Sequence, residues 1–537
     1  MVQKIRGGLL PPPRRSVLSP RTRHTFKLST LSEEFVRTEL KKIRSSKSTG
    51  LADIPARLLK DGSDAIARPL AMLMNRTIAE GSIPSEWKHA IVTPVYKSDS
   101  KTDPANYRPI SVLPVFSKIL ERAVHKMAYT YLQQHNLLSV YQSGFRSLHS
   151  TSTCLADVTN TLLKNIDKGQ LTGLVFLDLK KAFDTLDHRL LLDKLTSLGF
   201  SKASVQWFNA YLTDRLQSVV VNGSTSDPQS ICFGVPQGSL IGPLLFIIYI
   251  NDLPSVVSHC KIQLYADDTL LYVSSSSITD IEFMLSEDLK HIVEWLNDNF
   301  LYLNYSKTKI MLTGTHQRLA RIDNFTVKAK DTVLSRVYQF KYLGVVLDPC
   351  LSWNDHVDYI GRKVSARLGM LRRARKVIPR ESCITLYNAM ILPLLDYCAT
   401  IWDSCGKINR DYLDKLHRRA ASIIEGNRVS RPQVAQIFSW PSLQSRRDYL
   451  KCILVFKCIH NLAPPYLLNE FCHSRDFHAY NTRHRDLLRP PFAKTSKYQG
   501  SFRVSGTKIW NSLPLDLRRV HDLTRFKSGL KKHFRSR

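Results

Sequence analysis

Short apolar, β-prone runs alternate with segments of helical period in this 537-residue chain, and that alternation predicts an α/β (α+β) fold. Three observations carry the prediction. Leu174-Val175-Phe176-Leu177-Asp178-Leu179 is an apolar run of strand length broken by one acid. Ile262-Gln263-Leu264 and Thr269-Leu270-Leu271-Tyr272-Val273 flank the polar tip Tyr265-Ala266-Asp267-Asp268, the pattern of a hairpin with two carboxylates at its turn. Between them, Phe233-Gly234-Val235-Pro236-Gln237-Gly238-Ser239 reads as a Gly/Pro loop, with Ser239 the expected N-cap of the apolar helix that follows. That helix is too short to span a membrane and contains Pro243.

Taken in order, residues 1–30 form a basic arm with seven Lys or Arg and no acid, including Leu10-Pro11-Pro12-Pro13-Arg14-Arg15. Residues 31–80 show helical period at Phe35, Leu40 and Ile43, then at Ile66, Leu70, Leu73 and Met74, with a loop over Lys47–Asp53. Residues 81–150 read as strand and loop, 155–345 as mixed α/β, 350–425 as mainly helical, and 426–537 as basic and partly helical with Pro breaks. The expected domains are 1–30, 31–154, 155–349, 350–425 and 426–537.

A net charge of +32 with a pI near 9.8 implies a polyanionic partner, because Lys and Arg contacts to phosphate supply most nonspecific nucleic-acid affinity. The tails supply part of it: residues 501–537 hold ten Lys or Arg against Asp516 and Asp522. The middle is basic as well, at Arg362-Lys363, Arg367 and Arg372, Arg373, Arg375 and Lys376, where a solvated helix face and a nucleic-acid groove are the two readings. Ten scattered cysteines without close CxxC pairing argue against zinc and disulfides and for a reducing compartment; Cys472-His473 with His478 and His484 is a faint exception. No signal peptide or transmembrane run is visible, so nucleus and cytoplasm are the expected locations.

The acids carry the chemistry. An Asp inside a buried strand is costly unless paired or metal-bound, and Asp178 sits deep in its apolar run. Asp184 and Asp187 read instead as solvated turn acids or a helix N-cap. Adjacent carboxylates such as Asp267 and Asp268 repel unless a cation neutralises them, and hard oxygen ligands in pairs suit Mg²⁺. Two strands that each deliver an Asp are able to hold two Mg²⁺ about 4 Å apart for in-line phosphoryl transfer.

An Asp-bearing strand, a glycine loop with a buried helix and a Tyr-Ala-Asp-Asp hairpin, in that order, resemble the reverse transcriptases, specifically those of non-LTR retrotransposons (LINE elements of the jockey-like and chicken-repeat-like groups). The resemblance extends to Ile83-Pro84-Ser85-Glu86-Trp87-Lys88, Ile91-Val92-Thr93-Pro94-Val95-Tyr96-Lys97, Asn106-Tyr107-Arg108-Pro109-Ile110-Ser111, Gln142-Ser143-Gly144-Phe145-Arg146, Leu303–Lys309 and Phe340-Lys341-Tyr342-Leu343-Gly344-Val345. It implies a right-hand polymerase with fingers in 31–154, a mixed-sheet palm in 155–349, a helical thumb in 350–425 and a basic C-terminal extension.

The activity implied is RNA-directed DNA synthesis by two-metal nucleotidyl transfer, with Mg²⁺ (or Mn²⁺) as cofactor and an RNA template, a DNA primer and dNTPs as partners. Asp178 and Asp267 are expected to bridge the ions, Asp268 to play a weaker part, and the Leu179 carbonyl to complete the site. Phe183 looks like the family's steric gate, with palm core as the alternative. Lys97 and Arg108 are candidates for the triphosphate, Gln237 and Gly238 for the nucleotide and template border, and Lys307 for the general acid or a solvated lysine. Tyr342, Leu343 and Gly344 are expected at the primer grip, and Gly144, Phe145, Arg146, Pro236, Arg372, Arg373, Arg375 and Lys376 along the template.

Full-length elements of this type carry an N-terminal apurinic-type endonuclease. No such domain, RNase H quartet or cysteine-knuckle nuclease pattern is apparent, so the expectation is a polymerase module that relies on an endonuclease from another element copy. A catalytically silent remnant that at most binds RNA is the rival reading.

Overall fold

Fourteen strands run along the described residues of the computed structural model: β1 (His89–Tyr96), β2 (Tyr107–Val112), β3 (Leu171–Leu177), β4 (Arg215–Val221), β5 (Ser224–Thr225), β6 (Gln229–Ile231), β7 (Lys261–Tyr265), β8 (Asp268–Ser275), β9 (Lys309–Thr313), β10 (Lys328–Ala329), β11 (Thr332–Val333), β12 (Ser335–Arg336), β13 (Phe340–Tyr342) and β14 (Val345–Leu347). The structure describes residues 19–46, 54–97, 99–476 and 486–535. The expected loop Lys47–Asp53, the tract Leu10–Arg15, His478, His484 and the last two residues lie outside them. Helices separate and cover the strands, so the molecule is mixed α/β with mixed sheets, as the alternation predicts.

The chain divides into two compact units, each assembled from three stretches. The first comprises Met1–Phe145, Asp178–Ser258 and Lys290–Asn304. Its sheet has the order β2-β1-β4-β5, with β6 also on β4. β1 runs antiparallel to β2 and parallel to β4. The helix Val115–Gln134 belongs to this unit. It corrects the strand-and-loop expectation for 81–150. Ile119, Leu120, Ala123, Val124, Ala128, Tyr131 and Leu132 are buried at helical spacing, directly after Pro114 at the N-cap. The strong strand signals on either side of residue 100 masked that period.

The helix Gly242–Tyr249 is apolar all round because it is enclosed all round; Leu244 to Tyr249 are at most 1% exposed. Its N-cap position is Ile241 rather than Ser239. Ser239 still serves the helix start from one turn away, accepting from the Gly242 N–H at 3.0 Å. Pro243 falls in the first turn, where its missing N–H costs nothing.

The second unit comprises Arg146–Leu177, His259–Leu289 and Tyr305–Arg537. Its sheet has the order β12-β9-β3-β8-β7. β3 is central and antiparallel to both neighbours, and all seven of its residues are buried, which is why Leu174–Leu177 reads as an apolar run without alternation. Burial of each Leu, Val or Phe there is worth roughly 1.5–3 kcal/mol. The helix Thr151–Asp167 starts from a capping box formed by Ser150 and Thr153. Beyond β14 the unit is helical, including Asn354–Ala374, Lys407–Glu425, Leu443–Ile459, Phe502–Asn511 and Leu523–Arg535. Among the described residues no helix is long and apolar enough to cross a membrane.

Candidate active site

In the second unit, the pairing of Tyr265 with Asp268 closes the β7–β8 hairpin over a two-residue turn, Ala266-Asp267. Ala266 takes φ +56, a left-handed conformation that a residue with a Cβ adopts only under constraint. The turn therefore carries one carboxylate, and Asp268 opens β8 as its first residue. Asp267 is half-buried and Asp268 exposed. Burial raises the phenols of Tyr265 and Tyr342, and the nearby Cys154 and the Asp268 charge raise them further.

The β3–β8 register ends with Leu177 opposite Thr269. In the chain, Asp178 follows Leu177, and Asp268 precedes Thr269. Asp178 thus lies at the end of β3, half-buried, and not within the buried run as its sequence context predicts. The reason is that β3 stops pairing at Leu177, so the acid falls past the fully buried run and is part exposed.

Asp178 begins a segment of the first unit. Asn304 donates from Nδ2 to Asp178 Oδ2 at 2.8 Å and from its backbone N–H to the Asp178 carbonyl at 2.8 Å. Lys180 N donates to Tyr302 O at 2.9 Å, which makes an isolated antiparallel bridge between Leu179 and Leu303. Neither bond uses the Leu179 carbonyl. Asn304, which orients the Asp178 carboxylate, is a residue that sequence reading missed, although it lies in the quoted Leu303–Lys309 motif.

Phe183 sits in the one-turn helix Ala182–Asp184, half-buried, stacked on Phe246 at 4.3 Å and edge-on to Phe145 at 6.2 Å. Phe145 is half exposed and left-handed at φ +56. Asp184 is not the solvated turn acid its context suggests. Its Oδ1 accepts from Gln237 Nε2 at 2.8 Å, and burial holds its carboxyl above the usual range. Asp187 is the N-cap of the helix His188–Ser197, accepting from Leu190 N–H at 3.1 Å.

The loop carrying Pro236, Gln237 and Gly238 is pinned to this turn and to β2. Val235 N donates to Phe183 O at 3.0 Å, and Ser111 N donates to Gln237 O at 2.6 Å. Gly238 has φ +124 and faces the Ser111 carbonyl so closely that a Cβ would collide with it. Arg108 lies in β2 opposite Val95, and Lys97 follows β1 by one residue, so strand alternation places both cations on one face. Both are exposed.

Elsewhere in the second unit, β13 and β14 are joined by the turn Leu343-Gly344, at φ +45 and +83. Tyr342 is 3% exposed and packs beside Phe176 at 5.7 Å, so its ring is part of the core. Tyr397 takes the outer position: its Oη lies 2.8 Å from Leu343 O, and its ring lies so near Gly344 that a Cβ there would come within 2.8 Å. Nothing in the sequence linked Tyr397 to this hairpin, fifty residues away. Lys307 is exposed in the turn before β9, and Gly144 N donates to Gln142 Oε1 at 2.6 Å. Arg146 is half-buried, its carbonyl accepting from His149 N at 3.4 Å.

Arg372 and Arg373 are exposed in the last turn of Asn354–Ala374, and Lys376 is exposed just beyond it. Arg375 donates from Nε to the Ile424 carbonyl at 2.8 Å, at the end of the helix Lys407–Glu425. Among the described residues no group of three or more His, Cys, Asp and Glu is gathered to hold a metal ion.

Residues 97–347 match the family model of the reverse transcriptase (RNA-dependent DNA polymerase). The matched span contains every residue from Lys97 to Gly344 described above. Among curated relatives, the chain is 29% identical over 406 residues to the probable RNA-directed DNA polymerase from transposon BS of Drosophila melanogaster, across 73% of this chain and 44% of that protein. It is 27% identical to the RNA-directed DNA polymerase from mobile element jockey of Drosophila funebris, across 73% of this chain and 43% of that protein. It is 25% identical to the probable RNA-directed DNA polymerase from transposon X-element of Drosophila melanogaster, across 66% and 40%. The matched region spans less than half the length of these relatives.

Proposed function

We propose that this chain is an RNA-directed DNA polymerase of a non-LTR retrotransposon, extending a primer 3′-hydroxyl with dNTPs along an RNA template. What supports the reading is a reverse-transcriptase match over residues 97–347 that contains Asp178, the residue after β3 in the chain, and a β7–β8 hairpin with Asp267 in its turn and Asp268 at the start of β8. Two strand ends that each present a carboxylate fit Mg²⁺, which is ordinarily held by one or two carboxylates with substrate phosphates and water completing the shell.

In this reading Asp178 and Asp267 are the principal ligands, Asp268 the weaker one, and the Leu179 carbonyl an additional oxygen. When bound, the divalent ions lower the pKa of the 3′-hydroxyl and neutralise the departing pyrophosphate. The chain's own residues do the rest. Asn304 holds Asp178 in one orientation. Lys97 and Arg108 meet the triphosphate, Arg through its fork and Lys as a point charge. Phe183, backed by Phe246, excludes a ribose 2′-hydroxyl. Gln237 and Gly238 border the nucleotide, Lys307 protonates the leaving pyrophosphate, and Tyr342, Leu343 and Gly344, with Tyr397 over the turn, brace the primer end. Residues 31–154 serve as fingers, 155–349 as palm, 350–425 as thumb, and 426–537 as a basic extension.

The test is dNTP incorporation by the purified chain on poly(rA)/oligo(dT) with Mg²⁺ and, separately, Mn²⁺. Template-dependent extension with either ion supports the reading, and none with both overturns it.

A further inference from the structure

Glu121 is a carboxylic acid where the sequence calls for an apolar residue. It lies in Val115–Gln134 beside Leu120, Ala123 and Val124 and is 1% exposed. Its Oε2 accepts from the Leu240 backbone N–H at 2.6 Å and its Oε1 from the Tyr211 hydroxyl at 2.9 Å, with Ser117 Oγ at 3.4 Å. Arg215, also 1% exposed, stacks over the Tyr211 ring at 4.9 Å and donates from Nη1 to the Tyr211 carbonyl at 3.0 Å. Burial pushes the Glu121 carboxyl up, while the Leu240 N–H and then the Arg215 charge pull it back. Sealing an acid and a guanidinium in a core is expensive, and apolar residues of similar volume would pack there at less cost.

What the acid holds explains its presence. Leu240 is the last residue of the loop carrying Pro236, Gln237 and Gly238 before the helix Gly242–Tyr249 begins. The front of that loop is tied to Phe183, Asp184 and Ser111. Glu121 ties its rear, through a buried hydrogen bond to a backbone donor that no change of loop side chain would remove.

We propose that Glu121 is a positioning residue for nucleotide binding: by gripping Leu240 N–H it fixes the height of Gln237 and Gly238 against the Phe183–Asp184 turn. The proposal rests on the polymerase reading, in which that loop borders the incoming nucleotide. Glu121 itself touches neither substrate nor metal.

The test is steady-state primer extension by the full chain on poly(rA)/oligo(dT) with a dTTP titration, for wild type, Glu121→Ala, Glu121→Gln and Tyr211→Phe. Losing one buried hydrogen bond to the loop should raise KM for dTTP about tenfold in Glu121→Ala, with kcat within about threefold. Glu121→Gln keeps an acceptor oxygen for Leu240 N–H and should stay within about threefold of wild type in KM. An unchanged KM in folded Glu121→Ala, a loss confined to kcat, or a Gln variant no better than Ala overturns the proposal. Should Glu121→Ala fail to fold, Tyr211→Phe decides: it keeps the ring and removes one partner of the acid, and it should raise KM two- to threefold, an unchanged KM overturning the idea. Amide hydrogen exchange over residues 234–242 provides a readout that needs no activity. Faster exchange at Leu240 in Glu121→Ala or, where that does not fold, in Tyr211→Phe supports the anchor, and unchanged exchange overturns it. A wild-type chain that shows this anchor yet extends no primer would sink the polymerase reading alone.

Discussion

Asp178 and Asp267 bring the proposed chemistry down to single carboxylates. Replacing either with Ala removes oxygen ligands from the ions, whose clamp supplies several kcal/mol of transition-state stabilisation, so extension should fall by at least about a thousandfold. Template-primer binding, measured by fluorescence anisotropy, should survive. Near-wild-type extension by either variant would end the metal assignment. Phe183 is a different kind of residue, because its ring has a packing role against Phe246 whatever else it does. Phe183→Val should raise the ratio of rNTP to dNTP incorporation while keeping extension, since the smaller side chain opens space for a 2′-hydroxyl. A folded, active variant with an unchanged ratio would leave Phe183 as core alone.

Among the elements, the β13–β14 hairpin and the helix Thr151–Asp167 make the sharpest demands. Gly344 combines φ +83 with the Tyr397 ring above it, so Gly344→Ala meets both a strained backbone and a collision. It should cost about 1–3 kcal/mol, read as a lower urea midpoint with an unchanged slope. Asp157 on Thr151–Asp167 is pushed up to about 6 by burial and then by Glu470. A carboxyl whose folded value exceeds its unfolded value stabilises fully below about pH 4, and that contribution is lost as pH rises through 6. Asp157→Asn should therefore be more stable than wild type at pH 7.5 by about 1–3 kcal/mol, with the difference shrinking toward pH 4. Urea unfolding at those two pH values checks it, and a constant difference would contradict the linkage.

At the scale of the whole molecule, the +32 charge is the governing fact, and the structure sorts its contributors. Arg372, Arg373 and Lys376 are exposed, whereas Arg375 is tied to the Ile424 carbonyl. Changing the three exposed residues to Gln should reduce the slope of log affinity against log salt by roughly 2 to 3 if each meets a phosphate. Arg375→Gln should lower the melting temperature and leave that slope unchanged. Titrations at three salt concentrations separate the two, and an unchanged slope in the triple variant would make those charges a solvated helix end.

The residue order by itself determined the alternation of strand and helix, the β7–β8 hairpin and its acids, the apolar run of β3, the basic balance and the likeness to a reverse transcriptase. These are legible because each is a local pattern: a period, a turn dipeptide or a short motif. Tertiary structure alone decided which polar groups meet. Strand pairing stopped β3 at Leu177 and so brought Asp178 out of the apolar run. Packing turned Asp184 from a solvated acid into a partner of Gln237, took the Tyr342 ring into the core and set Tyr397 over Gly344. It also joined Glu121 to Leu240 across 119 positions. A buried hydrogen bond between distant residues leaves no period in the chain. Its free energy comes from desolvation, which only the completed packing creates.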